Sequence, residues 1–186
     1  MKILLFNGSS DKGNESTSIH IINYLIERLS TSGHALTLFN LGDAHIPFLD
    51  MKAKDIPPSV LKMADLFREA DVHIWLSPLY HGGIPGAMKN CLDWLEITSK
   101  APQPYLTGKI VGLVCWAGGL HAMQGINNMD AIAKALRAWV LPYTLPISRS
   151  DLFETGTNKI AAIYQSRLDI MVDSIDAIEV DSHIKV

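Results

Sequence analysis

Cysteine is nearly absent from this chain of 186 residues, with Cys91 and Cys115 the only two. Cys115 closes the apolar stretch IVGLVC and Cys91 falls within a helical pattern, so both read as small buried hydrophobes rather than a disulfide or metal pair. Neither has an arginine five residues on, which excludes a phosphatase-type thiolate loop. Histidines 20, 34, 45, 73, 121 and 183 show no metal-ligand spacing, and no metal site is expected. Charge of one sign is also scarce: 16 basic against 19 acidic residues leave a net charge of −3. That balance provides no general field for nucleic acid. No uncharged run approaches the roughly 20 residues that span a bilayer, and the start MKILLFNGSS lacks the pattern of a secretory signal. The expectation is a cytoplasmic protein acting on small molecules, with neither nucleic acid nor membrane as partner.

What is present is an alternation of apolar runs and helical patterns. The runs Lys2–Phe6, Ala35–Phe39, Asp71–Leu76, Lys109–Cys115 and Leu141–Ile147 read as strands, several of them continuous enough to be covered on both faces. Between them, helices are expected with Ile19, Ile22, Ile26 and Leu29, then Val60, Ala64 and Phe67, then Met88, Cys91, Leu92 and Leu95 on their buried sides. A further helix is expected to carry Ile126, Met129, Ala133, Leu136 and Val140. The last, from about Lys159 to Ile178, carries Ile160, Ile163, Met171, Ile175 and Ile178. Asn40–Pro58 is irregular, Pro142 and Pro146 suit an edge strand, and 181–186 is expected to fray beyond a single domain of residues 1–180. Repeated strand–helix units imply an α/β three-layer sandwich on a parallel sheet. With five strands in the order 2-1-3-4-5, the loops after strands one, three and four meet at the carboxyl edge, where ligands bind.

Those three loops are rich in glycine and small polar residues. The first runs from Asn7 to Ser18 and offers Ser9, Ser16, Thr17 and Ser18 ahead of a helix, a pattern suited to phosphate. It approximates a nucleotide-binding loop in Gly8 and Gly13. Asn14 and Glu15 then replace the required lysine and hydroxyl, which disfavours ATP or GTP hydrolysis. Around the second, Ser77–Trp94 reads SPLYHGGIPGAMKNCLDW: Tyr80 and His81 supply flat rings, and Gly82 and Gly83 allow close backbone approach. Lys89 and Asn90 suit capping, packing or subunit contacts equally, and Asp93 and Trp94 read as structural. In the third, Gly118 and Gly119 stand beside Trp116. No serine or cysteine triad can be assembled.

The stretch Ser77, Pro78, Tyr80, Pro85, Gly86, Met88, Lys89, Asn90, Asp93 and Trp94, followed by Gly118–Gly119 and Leu136–Arg137, resembles the NAD(P)H-dependent FMN reductase family. This family is flavodoxin-like and includes quinone, azo-dye and chromate reductases. The resemblance covers about residues 3 to 147 and implies FMN as cofactor, with NADH or NADPH as hydride donor. It further implies that Ser9, Ser16, Thr17 and Ser18 would hold the phosphate. Pro78, Leu79, Tyr80, His81 and Gly82 would line the ribityl chain and isoalloxazine, and Trp116, Ala117, Gly118 and Gly119 would reach the ring's other edge. The activity implied is hydride transfer through FMN to a quinone or similar acceptor, in a homodimer or homotetramer, with no side chain assigned as general acid or base. An FMN electron carrier and a non-catalytic α/β binding protein are the alternatives. The first loop departs from the family pattern: Asp11 stands where an arginine is expected, with Lys12 beside it.

Overall fold

The computed structural model describes residues 1–178, so the tail at 181–186 lies outside the described residues. Strand β1 (Lys2–Asn7) sits between β2 (Ala35–Asn40) and β3 (Val72–Pro78), and β4 (Ile110–Ala117) follows β3, all parallel. The fifth position is shared. A two-residue strand β5 (Trp139–Val140) pairs with the first half of β4, and β6 (Leu145–Ser148) pairs with its second half. The order 2-1-3-4-5 holds, but the single strand expected at Leu141–Ile147 is two short ones. The Leu141 amide still reaches the Val111 carbonyl at 2.9 Å. Pro142 then ends the run because it has no N–H to donate.

Alternation along the strands divides the core into two layers. Leu4, Phe6 and Trp75 face α3 (Pro58–Glu69), α4 (Gly86–Asp93) and α5 (Ala122–Ala135). Ile3, Leu5, Ile74 and Leu76 face α1 (Thr17–Thr31) and α6 (Ala162–Asp176). A short α2 (Leu41–Ala44) leads into the irregular excursion before α3. Phe6 anchors the first layer edge-on to Phe67, ring centroids 5.0 Å apart at 70°, an arrangement favoured by the aromatic quadrupole. Cys91 and Cys115 are buried, and burial pushes both thiols up to about 12. Among the described residues no helix is long and apolar enough to cross a membrane.

Two helix expectations need correction. The fifth helix stops at Ala135, short of Leu136 and Val140. Arg137 takes a left-handed φ of 67°, its amide bonds Lys134 O at 2.9 Å and the Ala138 amide bonds Ala133 O at 2.9 Å. This is a Schellman termination with arginine where glycine is usual. The last helix begins at Ala162, so Ile160 is buried ahead of it and Ile163 is 56% exposed. Tyr164, Leu168, Met171, Val172 and Ile175 form the buried face instead. The helix near Met88 changes to a 3₁₀ turn at Trp94–Thr98. At the end of α1, by contrast, Gly33 lies just past the last turn, at φ 73°.

Candidate active site

Asn7, wholly buried at the end of β1, organises the first loop. Its Oδ1 accepts from the Ser9 amide at 3.1 Å, and its Nδ2 donates to Asn40 Oδ1 at 3.1 Å and Ser18 Oγ at 3.5 Å. One amide side chain thus ties together the ends of β1 and β2 and the start of α1. Ser16 is the N-cap of α1, its Oγ accepting from the Ile19 amide and lying 3.1 Å from Ser18 Oγ. The amides of Thr17 and Ser18 are first-turn donors with no intrahelical partner. Asp11 folds back on the loop, its Oδ1 accepting from the Gly13 amide at 2.9 Å. Lys12 turns away, its Nζ 3.1 Å from Asp43.

The second loop is tighter than its glycines suggest. β3 continues through Ser77 and Pro78, and Leu79 donates to the Trp116 carbonyl at 2.9 Å. Tyr80 and Gly83 exchange both backbone hydrogen bonds, at 2.9 and 3.1 Å. His81 at φ 49° and Gly82 at φ 85° occupy the two central positions, the signature of a type I′ turn. The turn sends His81 and Gly82 into solvent and leaves Tyr80 52% exposed. β4 likewise continues through Trp116 and Ala117, so these two are strand residues. Helix α5 packs closely here: a Cβ on Gly125 would lie 2.3 Å from Cys115 Sγ and 3.2 Å from Leu79 Cδ1.

These elements enclose an open cleft of about 440 Å³, mouth included. Ser9, Ser16, Thr17, Ser18, Pro78, Leu79, Tyr80, Trp116, Ala117 and Gly118, all named from the sequence, line it together. His81, Gly82 and Gly119 do not line its wall: the first two because the turn closes on itself, the third because it lies one residue further toward α5. Two other residues do line it, Asp11 and Arg149. Arg149 directly follows β6, its amide donating to Ala117 O at 2.8 Å. It stands just past the carboxyl end of the last strand, where ligands collect in such sheets, but its place in the cleft depends on β6 pairing with β4. The motif residues on α4 serve a different purpose. Asn90 accepts from the Leu49 amide at 2.8 Å and donates to Pro47 O at 2.8 Å, and Trp94 Nε1 donates to Pro47 O at 2.7 Å. Asn90 and Trp94 thus pin the excursion before α3 to the helix, while Lys89 pairs with Asp93.

The donor set suits FMN. Hydroxyls of the first loop, two first-turn amides and the cationic Arg149 share the cleft with apolar Pro78, Leu79 and Trp116 and with the half-exposed Tyr80. Beside Gly118 a Cβ would meet nothing within 4 Å, so space remains there for a flat group.

A doubly wound parallel sheet with this cleft at its carboxyl edge defines a flavodoxin-like α/β protein. The sequence model of the NADPH-dependent FMN reductase family matches residues 1–151, and the chain belongs to that family. Over 183 residues it is 26% identical to the FMN-dependent NADPH-azoreductase of Staphylococcus saprophyticus, covering 94% of this chain and 93% of the relative. The NADPH-dependent FMN reductase ArsH of Acidithiobacillus ferrooxidans is 28% identical over 116 residues, 61% of this chain. The match covers 48% of that relative, so the chain spans about half the length of ArsH. Among solved structures, the flavoenzyme NAD(P)H:acceptor oxidoreductase FerB of Paracoccus denitrificans superposes with a TM-score of 0.73 at 19% identity, covering 94% of this chain and 97% of its own. That likeness shows the shared fold.

Proposed function

We propose that this protein is an oxidoreductase that moves a hydride from NADPH or NADH through bound FMN to a quinone, an azo compound or a similar small acceptor. The observation that carries this reading is the single cleft in which all three loops contribute a wall. Family membership supports the cofactor, and the azoreductase relative supports the acceptor class. When bound, FMN supplies the centre that accepts and releases the hydride. The chain's own residues bind and orient it. Amides of Thr17 and Ser18, with the hydroxyls of Ser9, Ser16, Thr17 and Ser18, hold the phosphate end. Pro78, Leu79 and Tyr80 form one wall, and Trp116, Ala117 and Gly118 the other. His81, Gly82 and Gly119 follow directly on the lining residues Tyr80 and Gly118 in the chain, and would meet an acceptor as it approaches. No side chain is assigned a proton-transfer role.

The reading extends to a cytoplasmic protein whose single domain acts as a homodimer or homotetramer. Two large apolar side chains stand open to solvent, Phe48 in the excursion before α3 at 88% and Leu120 in the third loop at 93% exposed, and a partner subunit would cover them. The test is a visible absorption spectrum of the purified protein before and after loading with FMN and dialysis, followed by addition of NADH or NADPH. Retained flavin bands that bleach, with steady nicotinamide oxidation once a quinone or azo dye is present, are expected. Flavin that bleaches but turns over only with a protein electron partner would identify a carrier instead. No flavin retention would overturn the reading.

A further inference from the structure

The cleft lacks positive charge where the family pattern puts it. Asp11 occupies the arginine position, lines the wall, and holds its carboxylate against the Gly13 amide. Lys12, the adjacent cation, does not line the cleft and points to Asp43, 3.1 Å away. The remaining donors of the first loop are neutral, and the Ser16 and Ser18 hydroxyls already face each other at 3.1 Å. A phosphate monoester carries close to two negative charges at neutral pH. Placing it beside a carboxylate in a partly desolvated cleft requires a cation on the other side.

We propose that Arg149 is that cation, a phosphate-binding residue supplied from the end of β6 in place of the one missing from the first loop. The inference rests on the flavin reading above. Arg149 lines the same cavity as Ser9, Asp11 and the Ser16–Ser18 turn. Its backbone is fixed to the end of β4 through the bond to Ala117 O. Its guanidinium has no carboxylate partner among the described residues. Asp151 accepts from Ser150 Oγ at 3.1 Å, and Glu154 pairs with Lys159 at 2.8 Å. A planar fork of N–H donors matches phosphate oxygens in pairs, which a lone ammonium does not. Asp11 then has a role compatible with the anion: it shapes the loop through Gly13 while Arg149 balances its charge.

The test compares FMN with riboflavin, which has the same ring and ribityl chain but no phosphate. Both are titrated into the apoprotein by flavin fluorescence, for wild type, Arg149→Gln, Arg149→Lys and Asp11→Asn. Arg149→Gln is expected to weaken FMN by about tenfold or more, the scale of a hydrogen bond to a charged group. Riboflavin binding is expected to stay unchanged, and the salt dependence of FMN binding to flatten. Arg149→Lys should fall between, and Asp11→Asn, which keeps an acceptor for the Gly13 amide, should tighten FMN. Because Arg149 is exposed, melting temperatures of the apoproteins should match. An equal loss for both flavins, or no loss for FMN, overturns the role of Arg149 while leaving the flavin site in place. Wild-type protein that binds neither flavin overturns the flavin reading itself, and this inference with it.

Discussion

Tyr80 shows how a residue can be exposed and still well placed. Its ring is half open, but its backbone is held by the paired bonds to Gly83 and by the strand that ends at Pro78. The fold therefore does not depend on the ring. We expect Tyr80→Ala to change unfolding free energy by less than about 0.5 kcal/mol, the usual scale for an exposed site. Acceptor KM should rise and FMN affinity fall by a few-fold, as stacked area is lost. Equal steady-state kinetics and flavin titrations for the two proteins would remove the ring from the site. Asn7 is the opposite case, a buried amide whose partners lie on three elements. Its role was not legible in the sequence, since nothing in FNGSS marks one asparagine as the junction of two strands and a helix.

At the scale of elements, the end of α5 carries the clearest energetic consequence. Arg137 adopts φ 67°, a conformation that costs an L-residue with a Cβ roughly 1–2 kcal/mol. Its guanidinium lies 5.3 Å from the centroid of the Tyr105 ring, a contact worth about 0.5–1 kcal/mol at an exposed site. Arg137→Ala keeps the strain and loses the contact, whereas Arg137→Gly loses both. The glycine variant should therefore be more stable than the alanine variant by about 1 kcal/mol or more in urea denaturation. Identical midpoints would mean that the Schellman turn does not persist in the variants. The same turn explains why periodicity overran the helix: Leu136 and Val140 continue its apolar spacing, and arginine gives no stop signal.

At the scale of the whole molecule, one buried histidine of the described residues has a long reach. His73 on β3 is fully enclosed, and burial pushes its pKa from 6.5 down to about 3. The Phe67 carbonyl opposes the shift without reaching hydrogen-bonding geometry, and Lys109 adds to it. Between those two values the unfolded chain binds a proton that the folded protein refuses. Stability therefore rises with pH across this window and is lost as pH falls from about 6.5 toward 3, by up to ~1.4 kcal/mol per unit. Urea midpoints at pH 7, 6 and 5 should fall in that order, and His73→Gln should flatten the series; an equal slope in both proteins would assign the effect elsewhere. At this scale the sequence was largely readable. Continuous apolar runs gave the buried strands of the sheet, and the Ser77–Trp94 motif placed its second loop. Arg149 was harder to see because its relevance depends on β6 pairing with β4, a contact between distant parts of the chain that no local pattern encodes. That pairing also gives the sheet two unequal margins. On one side, ladders of two and four residues are interrupted by Pro142 and contain Pro146, which limits any further strand joining there. The other margin, β2, presents six uninterrupted residues with no charged side chain, Ala35–Asn40. Of the two margins β2 is therefore the better suited to take a further strand, which biases growth by strand addition to one side.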